Sequence, residues 1–101
     1  MVKDKGGSKM VDKSIVAKSI EHYGVENQST VCMEECAELI QAISKEKRGM
    51  HNENHLAEEI ADVEICIEII KQMFDVRQEV VDAWIYTKQK REVERMSKGI
   101  A

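Results

Sequence analysis

The chain has 101 residues, no proline, 4% aromatic content, 43% hydrophobic residues, 34% charged residues and a formal net charge of −4. That length fits one domain, and the composition suits a helical globular protein and argues against a disordered or all-β one. The acidic balance weighs against nucleic acid as the main partner, and the absence of any apolar run of membrane-spanning length weighs against a membrane protein.

Residues 1–9 (Met-Val-Lys-Asp-Lys-Gly-Gly-Ser-Lys) read as a flexible lead-in, and residues 10–101 as a single all-α domain. Hydrophobic periodicity predicts a first helix over roughly 10–23, with Gly24 as its stop. A second is expected over roughly 28–48, capped by Asn27 and ended by Lys47-Arg48-Gly49. After a polar loop containing His51, a third helix over roughly 55–74 is the most apolar stretch. Asp75 and Gln78 have the spacing of a capping box for a fourth helix, roughly 76–97. That helix would turn Val80, Val81, Trp84 and Ile85 inward before becoming basic. Cys32, Cys36 and Cys66 are odd in number, which reads as reduced, buried thiols in a cytoplasmic protein.

Charge is unevenly distributed. Ten acids fall between Glu34 and Glu68, offset only by Lys45, Lys47 and Arg48. Two pairs among them, Glu35/Glu38 and Glu59/Asp62, have i,i+3 spacing, so each presents two carboxylates side by side on a helix. Each helical residue advances about 100° around the axis. On the third helix this sets Glu59 and Asp62 between Leu56, Val63, Ile67, Ile70 and Phe74 on one side and Cys66, Ile69 and Met73 on the other. The exposed arc is expected at Ala57, Glu64, Glu68 and Lys71. An ionised carboxylate turned inward needs a compensating partner, and that face carries no lysine or arginine. Four carboxylates gathered by two helices call for a hard divalent cation such as Mg²⁺, with Mn²⁺ as the substitute. His51 and His55 read as surface residues, and the Glu-x-x-His pattern of di-iron bundles is missing, which favours a redox-inert ion. Trp84 fits either the apolar stripe of its helix or a stacking surface for a nucleobase.

Glu34-Glu35-Cys36-Ala37-Glu38, twenty residues, then Glu59-Ile60-Ala61-Asp62 resembles the EExxE…ExxD signature of the all-α nucleoside triphosphate pyrophosphatases. This MazG-like superfamily includes helical dUTPases, dCTPases and phosphoribosyl-ATP pyrophosphohydrolases. Gly24 and Gln28 before the motif, and Lys88-Gln89-Lys90-Arg91 after it, are similar to the flanking family elements, so the resemblance spans about residues 12–96. Two positions depart from it: Lys90 stands where relatives often carry Asn, and Val31 where a Lys is frequent. The resemblance implies a four-helix, MazG-like bundle completed by oligomerisation into a homodimer or homotetramer. It also implies Mg²⁺-dependent hydrolysis of a nucleoside triphosphate to monophosphate and pyrophosphate, for house-cleaning or pool control. Glu35, Glu38, Glu59 and Asp62 would be the metal ligands, with Glu34 and Glu58 helping to activate water. Gln28 would line the substrate pocket, and Lys88 and Arg91 would hold phosphates. The general base is not assigned by the sequence; among Glu34, Glu35 and Glu38 the choice falls on Glu38 or a metal-bound water. A phosphoribosyl-ATP pyrophosphohydrolase, or a non-catalytic helical oligomerisation or regulatory module, is the alternative.

Overall fold

The computed structural model describes residues 10–99, and among them the chain is all helical. The lead-in expected over residues 1–9 lies outside the described residues. The four helices are α1 (Lys13–Tyr23), α2 (Val25–Lys47), α3 (Glu53–Met73) and α4 (Gln78–Ser97). None is long and apolar enough to cross a membrane.

Local chemistry sets each boundary. Asp12 opens α1, its carboxylate accepting from the backbone N–H groups of Ser14 at 2.9 Å and Ile15 at 3.2 Å. Those bonds, with one from the Ser14 hydroxyl, hold the Asp12 carboxyl below its usual range. Gly24 alone joins α1 to α2. Its φ of 88° and ψ of 158° lie in a region that only glycine enters freely. There its N–H closes α1 on the Ile20 carbonyl at 2.8 Å, and its carbonyl accepts from Gln28 N–H to open α2. So α2 starts three residues before the expected position, and Asn27 is no cap. Its side-chain amide instead donates back to the Tyr23 carbonyl at 2.9 Å.

Gly49, at φ 81°, ends α2 as the sequence predicts, with Met50 N–H reaching the Lys45 carbonyl at 2.9 Å. Asn52 caps α3 through His55 N–H at 3.0 Å. Glu46 braces the same corner by accepting from His51 Nδ1 at 2.7 Å and Asn52 N–H at 3.0 Å. The capping box expected for α4 does not form. Asp75 takes a left-handed φ of 54° as the residue that terminates α3, with Val76 N–H on the Lys71 carbonyl. Gln78 is consumed by Lys71 and Asp82, and Arg77 stands at the cap of α4 without a side-chain hydrogen bond to it.

Packing joins α2 to α3 as an antiparallel pair, with α1 laid against both. The core is Val16, Cys32, Cys66 and Ile69, with Val11, Ile20, Ile70 and Met73 around it. Small thiols at the α2–α3 contact let the backbones approach, and the Cys32 thiol lies 3.8 Å from the Cys66 carbonyl oxygen. Burial pushes both thiols up, Cys66 to about 12, so they behave as packed hydrophobes. Cys36 departs from that expectation and is exposed.

Two further expectations are corrected. Glu68 and Lys71 are not on a solvent-facing arc: α1 covers them, Glu68 is buried and Gln72 beside them donates to the Lys13 carbonyl at 3.1 Å. And among the described residues the inner side expected for α4 is mostly open, with only Val81 of its four apolar residues half-buried. The helix contains no buried residue, and Val80, Trp84 and Ile85 are 40%, 56% and 46% exposed. Ile67 and Phe74, expected to flank the carboxylates inside, are exposed as well.

Candidate metal centre

The α2–α3 pair sets Glu35 opposite Glu59 and Asp62. One carboxylate oxygen from each lies within 4.8 Å of the others. Glu59 is 6% exposed, Asp62 and Glu35 are half-buried, and the Glu59 Oε2 atom is buried without a hydrogen-bond partner. Among the described residues no lysine or arginine pairs with any of the three; the only lysine in an ion pair, Lys71, serves Glu68. The Glu35 carboxyl is pushed above its ordinary range by burial first, then by hydrogen bonding with Asp62 and by the charges of Asp62, Glu59 and Glu38.

A buried carboxylate with an orphaned oxygen, close to two more carboxylates, is a costly arrangement for the bare protein. It fits a divalent cation, since all-oxygen sets of this kind suit hard ions. The donors present therefore match Mg²⁺ or Mn²⁺, with Glu35, Glu59 and Asp62 as the residues that would hold it.

The other sequence-predicted residues fall in three places. Glu38 and Glu34 are exposed on α2; Glu38 is near enough to raise the Glu35 carboxyl but stands outside the set of three. Gln28 is buried at 6% exposure, and its side-chain amide donates to the Ser19 hydroxyl at 3.2 Å, so it ties α2 to α1. Trp84, Lys88 and Arg91 are exposed along α4, with the Lys88 ammonium 5.9 Å from the centre of the Trp84 ring. Among the described residues α4 meets α3 near its first turn, where Lys71 donates to the Gln78 side chain, and Trp84, Lys88 and Arg91 lie further along it.

His55, expected at the surface, has a side chain that is 41% exposed. It lies in the first turn of α3, with Nδ1 3.9 Å from a Glu58 oxygen, and ligand atoms of His55, Glu58 and Glu59 come close together. Their i, i+3, i+4 spacing puts the three on one helix face. His55 also lines a cavity of about 440 Å³ at the α2–α3 corner, together with Lys45, Glu46, His51, Asn52 and Leu56. In comparison with family models, curated proteins and solved structures, the chain finds no match.

Proposed function

We propose that the protein is a divalent-cation-dependent nucleoside triphosphate pyrophosphohydrolase, releasing pyrophosphate and a nucleoside monophosphate. One observation carries this reading: Glu59, buried and with its Oε2 partnerless, brings a carboxylate oxygen within 4.8 Å of Glu35 and Asp62 across two helices. The ordered EExxE…ExxD spacing of Glu34 to Asp62 supports it. A bound Mg²⁺ would neutralise charge gathering on phosphate oxygens and ease deprotonation of water.

In this reading Glu35, Glu59 and Asp62 fix the position of the triphosphate. Glu38, exposed on the same helix one turn after Glu35, takes the proton from the attacking water, with Glu34 and Glu58 assisting. Lys88 and Arg91 supply phosphate contacts once a second copy covers α4, and Gln28 shapes the pocket from beneath. The uncovered apolar residues of α4, with Ile67 and Phe74, support a homodimer or homotetramer. We place the enzyme in the cytoplasm, where Cys32, Cys36 and Cys66 stay reduced.

Pyrophosphate release from a panel of ribo- and deoxyribonucleoside triphosphates, with phosphoribosyl-ATP included, tests the reading. Turnover is expected to require Mg²⁺ or Mn²⁺ and to fall more than about 100-fold in Asp62→Asn and Glu38→Gln. Equal rates in wild type and both variants reject the site. The exposed face of α4 also favours a second reading, a non-catalytic oligomerisation module. It requires no turnover on any nucleotide.

A further inference from the structure

We infer that His55, Glu58 and Glu59 form a second divalent-cation position, which shares Glu59 with the Glu35–Glu59–Asp62 set and takes first-row transition ions such as Mn²⁺ or Co²⁺ in preference to Mg²⁺. The inference rests on the cation-binding part of the proposed function and is independent of the hydrolysis.

Ligand atoms of the three residues lie within 4.8 Å of one another. The His55 Nδ1 to Glu58 oxygen distance of 3.9 Å is too long for a hydrogen bond, so ring and carboxylate face each other across a gap. Glu59 closes the set with a side chain that is 6% exposed and an oxygen that no protein group satisfies. A carboxylate has two oxygens, each able to meet a different ion, and paired cations about 3.5–4 Å apart are a common arrangement around phosphate esters. Glu59 is the one residue present in both sets.

The position is also held and reachable. Asn52 fixes the His55 backbone N–H at 3.0 Å, and Glu46 in turn fixes Asn52. Residue 55 therefore sits on a braced helix start instead of a loose loop. The His55 and Glu58 side chains are 41% and 68% exposed, so an ion there has open faces for water or a ligand. The two sets differ in chemistry: one offers carboxylate oxygens alone, the other an imidazole nitrogen as well. Nitrogen donors raise affinity for first-row transition ions over Mg²⁺.

Mn²⁺ titration of the full chain, followed by electron paramagnetic resonance and calorimetry, is the test. Wild type is expected to take up two Mn²⁺ with a spin-coupled signal. His55→Ala and the more exposed Glu58→Gln should each hold one, uncoupled, with at least about tenfold weaker affinity at the lost position. Asp62→Asn should also hold one, and its bound Mn²⁺ should broaden the His55 ring resonances. A single Mn²⁺ in wild type, undisturbed by His55→Ala and Glu58→Gln but lost in Asp62→Asn, overturns the second position and leaves the hydrolase reading standing. No Mn²⁺ uptake overturns this position, and Mg²⁺-dependent turnover then judges the hydrolase reading separately.

Discussion

Glu59 and Glu68 are both buried on α3, yet their surroundings are opposite. Glu68 has Lys71 Nζ at 3.4 Å and accepts from the Gln72 amide at 2.9 Å. Burial pushes the Glu68 carboxyl up, but those hydrogen bonds and the Lys71 charge outweigh it, and the net direction is down. Glu59 has an orphaned oxygen and two carboxylates for company. The same helix thus shows how this chain compensates a carboxylate it buries for structure. That provision is lacking at Glu59, and the proposed cation would supply it.

The largest expected effect breaks the compensated half. Lys71→Met leaves Glu68 buried and unpaired, and a loss of about 2–3 kcal/mol is expected. That is a fall of about 10 °C or more in Tm for a domain of this size, read by thermal denaturation. A loss below about 0.5 kcal/mol would erase the contrast. Glu59→Gln should act in the opposite sense. Without divalent ions it relieves repulsion in the carboxylate set and raises stability by about 1 kcal/mol. With Mn²⁺ present the wild type should overtake it, because ion binding at 100 times Kd adds about 2.7 kcal/mol. Melting curves with EDTA and with Mn²⁺ check both arms.

The smallest effect is in pH. Glu35 has a raised carboxyl in the fold, so between the ordinary value of 4.5 and its folded value the native state holds more protons than the unfolded one. Metal-free stability should therefore fall as pH rises through that window, and Glu35→Gln should flatten the fall. Glu68 is lowered, so its contribution is complete above 4.5 and is lost as pH drops through its folded value. Urea midpoints measured across mildly acidic pH in EDTA separate the two slopes.

Helix number, order and the stops at Gly24 and Gly49 were legible in the sequence, because each depends on local periodicity and a glycine at positive φ. The inward direction of Glu59 and Asp62 was legible for the same reason. What failed needed knowledge of distant neighbours. The helical wheel of α3 cannot reveal that α1 covers Glu68 and Lys71, nor does that of α4 reveal that Trp84 and Ile85 stay exposed among the described residues. Asp75 and Gln78 had the right spacing for a cap, but the end of α3 claimed the first and Lys71 the second. His55 reads as a surface residue from its place in a first turn, and its nearness to the buried Glu59 shows only in the folded chain.

The corner between α2 and α3 has a kinetic consequence. Residues 48–52 are short and braced by Glu46, so the acids on the two helices meet as soon as one hairpin closes. Closing a short segment forfeits little chain entropy, and local closures of this sort run early in folding. Mutual repulsion of the acids is then felt on the way to the native state as well as in it. Ionic strength and divalent ions should accordingly govern how fast this hairpin assembles.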